Sequence, residues 1–210
     1  RGGAFLKEMT LQSVELSKHS FERAIEIDPN YGPALAGLAD SIAMLGFHYD
    51  ADYALLQEAM SYCDKALALD PDLAEAHCAL GRLLSLLRRF EEAEAEFQKA
   101  LRQRPNLVEA HLYRALMYLT SGAYADAYPS MQRAYELDAT YLPALEGLGN
   151  LLVQNQSWEE AQRIYEAMLI HHQNSLTDLE LVEANWQLGE IKSKLGMPER
   201  AVNSFRKALE

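Results

Sequence analysis

The side chains best suited to chemistry here are 6 histidines, 2 cysteines and 31 carboxylates. Metal binding, proton transfer and thiolate attack each need such groups at a definite spacing. His77 and His111 stand 34 residues apart, at equivalent places in neighbouring segments. Packed neighbours lie about 10 Å apart, too far to share one ion, so both histidines are expected to pack at a core edge. His171 and His172 with Asp178 hold the pieces of a weak transition-metal site. Their expected role is instead to end a helix, where partial positive charge suits the carbonyl end of the dipole. His48, Asp50 and Asp52 could chelate, but they do not by themselves make a site. Cys63 and Cys78 form no CxxC pair, and are expected to be reduced, buried thiols of a cytoplasmic protein. The carboxylates read as solvated faces of surface helices. With no glycine-rich phosphate loop, HExxH or GxSxG, the expectation is no catalytic residue, no metal and no cofactor.

The interval between His77 and His111 belongs to a larger pattern. Ala59, Ala93, Ala127 and Ala161 follow one another at steps of 34, and Ala201 comes 40 later. A fixed period of this length signals stacked repeats, each one supersecondary unit. The units are helical, since apolar residues recur at three and four, as in Leu80, Leu83, Leu84 and Leu87. Pro29, Pro71 and Pro105 follow helix ends and stop them. Asp72 with Glu75, Asn106 with Glu109, Ser157 with Glu160 and Thr177 with Glu180 carry the spacing of capping boxes at the next starts.

Small residues mark each first helix at Ala39, Gly81, Ala115, Gly149 and Gly189, and lie opposite the alanine file of the second helices. Phe97, Met131, Tyr165 and Phe205 follow that file by four and are expected to plug the gap, with Cys63 the undersized member. A third small file, Ala24, Ala66, Ala100, Ala134 and Ala208, closes the joint to the next pair, with Met168 oversized.

Net charge is −12 and the pI about 5.0. Such a field repels phosphate backbones and anionic lipid, so neither nucleic acid nor membrane is an expected partner. Basic or mixed protein surfaces are favoured. No segment reaches the ~20 apolar residues of a membrane helix. The opening Arg1-Gly2-Gly3-Ala4-Phe5 reads as a cut edge, and Phe205 to Glu210 stops before a turn proline, so a fragment of a longer protein is expected.

The order of Leu80-Gly81, Leu84, Ala93, Phe97, Ala100 and Pro105 resembles the tetratricopeptide repeat family, and the resemblance covers nearly the whole chain. It implies an all-α, right-handed superhelical solenoid of antiparallel helix pairs. The expected arrangement is a single domain, 1–210, with repeats near 1–29 (partial), 30–71, 72–105, 106–139, 140–173 and 178–210. In the partial repeat, Ser13 to Asp28 reads as a second helix with a short partner, Gly3 to Met9. About eight extra residues between Gly46 and Gln57 predict a longer loop over Phe47 to Tyr53, and six around His171 to Leu179 predict an offset last pair or a lengthened helix. Pro129, beyond the first turn of its helix, predicts a kink.

In that family the first helices line a concave groove that takes peptides. The resemblance places Ala36, Asp40, Cys78, Arg82, Leu112, Leu116, Glu146, Asn150, Trp186 and Glu190 on it, with Tyr113 and Gln187 beside them and Glu75, Glu109 and Glu183 nearer the helix starts. The family's carboxylate clamp needs Lys and Asn where this chain has Ala36, Asp40, Ala79, Glu109 and Tyr113. Its asparagine ladder would fall on Gly37, Ala79, Tyr113, Gly147 and Gln187. Neither is present. An apolar centre of Leu112, Tyr113 and Leu116 between acids instead suits a peptide or helix with apolar anchors and basic residues. Alternatively, Tyr113 and Trp186 pack against another part of the same protein.

The expected function is a non-catalytic protein-interaction scaffold binding a peptide, helix or partner domain. Thr10 to Gly46 also resembles repeat regions of bacterial signalling proteins that follow a cyclase, kinase or winged-helix domain. That implies, as one alternative, a regulatory module of a multidomain enzyme or transcription regulator. A second alternative is an assembly factor for a secretion or pilus machine.

Overall fold

The computed structural model describes residues 11–48 and 53–209, and every described element is a helix. In chain order these are α1 (Leu11–Ile27), α2 (Gly32–His48), α3 (Tyr53–Leu69), α4 (Ala74–Leu86), α5 (Phe90–Gln103), α6 (Val108–Ser121), α7 (Tyr124–Leu137), α8 (Leu142–Gln154), α9 (Trp158–His172), α10 (Asp178–Lys194) and α11 (Pro198–Leu209). The expected helix Gly3 to Met9, and Asp50 and Asp52 of the expected loop, lie outside the described residues.

The chain divides into two compact units, Arg1–Ser130 and Met131–Glu210, with the division inside α7. α7 continues without a break through Pro129, next to the last residue of the first unit. In the first unit α1 packs on α2, α2 on α3 and α4, and α4 on α5 and α6. In the second, α9 packs against both α8 and α10, and α10 against α11.

The small and large files meet as their sizes require. A Cβ added to Gly81 would lie 2.9 Å from the Phe97 ring, one on Gly149 3.0 Å from Tyr165, and one on Gly189 2.5 Å from Phe205. Ala59, Ala93, Ala127 and Ala161 have no exposed surface, so helices of a pair approach as closely as their backbones allow. In the first pair Leu38, Ala39, Ile42, Leu56 and Cys63 form one core, on which Phe21 and Ile25 of α1 rest.

Two expectations change. The extra residues near Gly46 lengthen helices more than they open a loop: α2 and α3 each run 17 residues, against 13 in α4 and 14 in α5. Near His171 the lengthened helix expected as one of two outcomes is found: the extra residues go partly into α10, also 17 residues long. Of four expected capping boxes only Thr177–Glu180 forms. At α4 and α6 the N-cap positions are Leu73 and Leu107, and Ser157 at α9 makes no side-chain cap bond. Leu107 is buried, so core packing decides that position. The polar work passes to the preceding turn, where Asp28, Asp70 and Asp138 each accept a bond from the backbone N–H two residues on.

In the α4–α5, α6–α7, α8–α9 and α10–α11 pairs the turn is set by one residue of left-handed backbone: Arg88 (φ 58°), Gly122 (82°), Gln156 (58°) and Gly196 (71°). The next N–H reaches back five residues each time, as in Ser157 N–H to the Leu152 carbonyl at 2.9 Å. Only glycine holds this conformation without strain. Gln156→Gly should therefore stabilise the second unit by about 1 kcal/mol, read as a higher urea midpoint at unchanged slope.

Candidate functional site

The residues assigned to the groove fall into two groups, one in each unit. In the first unit, Asp40, Arg82 and Tyr113 come from α2, α4 and α6. Arg82 Nη1 donates to Asp40 Oδ1 at 3.1 Å, and the Tyr113 hydroxyl donates to Asp40 Oδ2 at 3.2 Å. The Arg82 guanidinium also lies over the Tyr113 ring, 4.2 Å from its centroid. These three side chains thus tie successive first helices together. Cys78 and Leu112 are buried at the stacked face, and Leu116 is half-buried. Of the expected apolar centre, Leu112 is 0% and Tyr113 3% exposed, and Leu116 alone keeps part of its surface. Burial pushes the Cys78 thiol well above its ordinary range, the carboxylates of Asp40 and Glu109 adding to it, so it is no nucleophile.

Three further residues brace this joint. Arg114 of α6 grips Glu94 of α5 through Nε at 2.8 Å and Nη2 at 2.6 Å, and touches the Tyr118 hydroxyl. Burial, the largest single influence, would raise the Glu94 carboxyl, but the bonds from Arg114, Gln98 and Tyr118 and the Arg114 charge together outweigh it and leave it lowered.

In the second unit a pocket of about 290 Å³ opens between α8, α9 and α10. Glu146 and Asn150 of α8 form one side, with Tyr165 and Met168 of α9 and Leu176 as its apolar wall. Glu180 and Glu183 of α10 form the other side. The Tyr165 hydroxyl donates to Asn150 Oδ1 at 2.7 Å, which anchors the wall. The Thr177 cap fixes where α10 starts, and Glu180 Oε2 accepts from the Thr177 N–H at 2.7 Å.

Burial raises the Glu146 carboxyl to about 7, with the negative charges of Glu180 and Glu183 contributing less. Burial, then Glu183 and Glu146, likewise push Tyr165 up to about 12. No salt bridge joins Glu146, Glu180 or Glu183 to a cation among the described residues. Trp186 is 48% exposed on α10 and packs its ring on Phe205 of α11, with centroids 4.9 Å apart and planes at 58°. Glu190 is exposed one turn further on.

Among the described residues no group of three His, Cys, Asp or Glu is arranged to hold a metal. His77 bridges Glu96 at 2.6 Å and the Pro71 carbonyl at 2.9 Å, and His111 repeats the carbonyl contact at Pro105. These histidines fasten a helix to the turn before it. His172 does similar work, reaching the Thr140 carbonyl at 2.6 Å. Both cysteines are free and buried. Sequence reasoning missed Tyr165 and Glu180 as pocket residues, because one read as a core plug and the other as a cap.

Comparison with known proteins agrees with this architecture. Residues 55–117 and 118–185 match a tetratricopeptide repeat profile, and residues 182–210 match a second one. Superkiller protein 3 of Schizosaccharomyces pombe is 27% identical over 154 residues, covering 70% of this chain and 10% of that protein. The chain thus spans about a tenth of the length of that relative. Among solved structures, YrrB, described as a TPR protein with an unusual peptide-binding site, is 22% identical with a TM-score of 0.61, the match covering 90% of each chain. MamA is 20% identical with a TM-score of 0.62, covering 80% of this chain and 92% of that one. At these identities the two structures speak for the fold, while the repeat profiles cover most of the sequence. The chain belongs to the tetratricopeptide repeat family.

Proposed function

We infer that this chain is a non-catalytic protein-interaction scaffold whose second unit receives a basic side chain of its partner in the Glu146 pocket. The observation that carries this reading is a half-buried carboxylate flanked by two more, in a pocket with one apolar wall and no cation of its own. A lysine or arginine entering there would replace repulsion with charge-assisted hydrogen bonds, while its aliphatic stem lay on Met168 and Leu176. Trp186, exposed on the same helix, would offer an aromatic anchor beside it. Repeat arrays use surfaces of this kind to hold peptides. In the first unit the positions that match Glu146 hold buried Cys78 and Leu112, and Arg82, which matches Asn150, is tied to Asp40, which also accepts from Tyr113; this favours the second unit as the gripping end.

The test is selection from a random dodecapeptide library displayed on phage, with the whole chain as bait at pH 8. Enriched peptides should carry Lys or Arg beside an apolar residue, and lose at least tenfold in affinity against Glu146→Gln. Binding should also weaken as pH falls from 8 to 6, because Glu146 takes up a proton there. Enrichment of peptides without a basic residue, indifference to Glu146→Gln, or no enrichment at all would remove this reading.

A further inference from the structure

The charge of this chain is not evenly spread. Residues 191–209 hold Lys192, Lys194, Arg200, Arg206 and Lys207 against Glu199 alone, a net +4 in a chain of −12. Everything else therefore carries −16. Within this basic end a second pocket, about 400 Å³, lies between α9, α10 and α11. It uses another face of α10, the stripe of Asn185, Leu188 and Lys192, rather than the stripe of Glu180, Glu183 and Ala184 that lines the Glu146 pocket.

The cations here are of two kinds. Lys192 is committed: its ammonium lies 3.4 Å from Glu166 and donates to the Ser204 hydroxyl at 3.2 Å, and its side chain is only 13% exposed. It thereby cancels the one carboxylate of the pocket. Arg200 and Lys207, one on either side of Ser204 on α11, have no acidic partner among the described residues. Arg200 reaches only the Met197 sulfur, at 3.9 Å. Elsewhere arginines are mostly paired, as at Arg82, Arg89, Arg104 and Arg114. The pocket also has an apolar side, Leu169, Ile170 and Leu188, and Ile170 is 76% exposed at its mouth.

We propose that this pocket binds an acidic–aliphatic segment of a partner protein, its carboxylate between Arg200 and Lys207 and a neighbouring Leu, Ile or Val side chain on Leu169, Ile170 and Leu188. Two unmatched cations on an acidic chain select a carboxylate, and the apolar side selects what stands next to it. The volume is that of a small-ligand site, enough for one aliphatic side chain and one carboxylate. Nucleic acid or an anionic bilayer would meet the same two cations, but its extended surface would also face the −16 of the rest of the chain, which a short segment seated in the pocket does not. This inference does not rest on the Glu146 reading, since pocket, helix face and ligand charge all differ.

The test titrates the whole ¹⁵N-labelled chain by NMR with four probes: the acetylated, amidated peptide Asp-Leu-Asp-Ile-Asp-Leu, its Gly/Ser analogue keeping the three aspartates, its Lys analogue, and inorganic phosphate. The first should bind with a Kd below about 1 mM and shift the amides of Leu169, Ile170, Asn203 and Ser204, and Arg200→Glu with Lys207→Glu should weaken it at least tenfold. Both substituted residues are exposed, so the fold should survive; an unchanged thermal midpoint checks this. Glu146→Gln should leave this titration as it was, which separates the two pockets. No saturable shift with the first peptide, equal binding of the Gly/Ser analogue or of phosphate, tighter binding of the Lys analogue, or shifts that survive the double substitution each overturn the proposal.

Discussion

Phe97→Ala should cost the first unit about 3–5 kcal/mol, the upper range for a single core substitution. Phe97 has no exposed surface, and its ring fills the space that Gly81 leaves by lacking a Cβ. Removing the ring deletes the apolar surface it buries and opens a void between α4 and α5. The neighbours cannot refill it cheaply, because Ala93 and Ala100 of the same helix already hold the backbones close. Phe97→Leu, which keeps much of the volume, should cost about 1.5 kcal/mol. The difference separates lost volume from lost aromatic contact. Urea unfolding followed by circular dichroism should show the earliest transition moving to lower denaturant. Trp158 and Trp186 both lie in residues 131–210, so tryptophan fluorescence in the same samples reports the second unit alone. A loss below about 1 kcal/mol would mean that Phe97 is not the keystone its burial suggests.

The pairing of Gly81 with Phe97, of Gly149 with Tyr165 and of Gly189 with Phe205 was legible in the sequence, because a missing Cβ and a large ring at constant spacing have one simple geometric solution. The order of the described helices was legible for the same reason: apolar residues at three and four leave few choices. The caps were not. Asp72 and Asn106 have the right spacing, but Leu73 and Leu107 take the N-cap positions, and a spacing rule cannot weigh that competition. The groove was legible only as a set of positions. Whether a position faces solvent or a neighbour depends on side chains 31 to 73 residues away, as with Asp40, Arg82 and Tyr113. Glu146 shows the opposite case: at the position of buried Cys78 and Leu112 it sits against Tyr165 and Leu176, half-buried and uncompensated. The basic end, with five cations against one acid in residues 191–209, was written in the sequence, but a net charge for the whole chain hides it.

Glu146→Gln should make the second unit more stable at pH 8 by about 2–3 kcal/mol and leave it unchanged below pH 4.5. The carboxyl rises from an ordinary 4.5 to about 7 in the folded chain, chiefly by burial and then through Glu180 and Glu183. Below pH 4.5 it is protonated in both folded and unfolded chains and contributes nothing. Between about 4.5 and about 7 the folded chain holds a proton that the unfolded chain has released, so stability falls as pH rises. Above 7 the carboxylate is charged in both states and the cost is complete. A rise of that size corresponds to about 3 kcal/mol, reduced somewhat because Glu146 keeps part of its surface in water. Glutamine removes the charge and can donate to Glu180 or Glu183, so the slope between pH 5 and 7 should disappear. Tryptophan fluorescence in urea, measured at half-unit steps from pH 4 to 8, checks it. Glu183→Gln should lower the Glu146 carboxyl only in part, because burial is the larger cause. A stabilised variant that has also lost its basic peptides would tie the cost of this carboxylate to the binding it serves. An unchanged slope in Glu146→Gln would mean that water reaches the carboxylate freely, and the pocket would lose its reason to attract a cation.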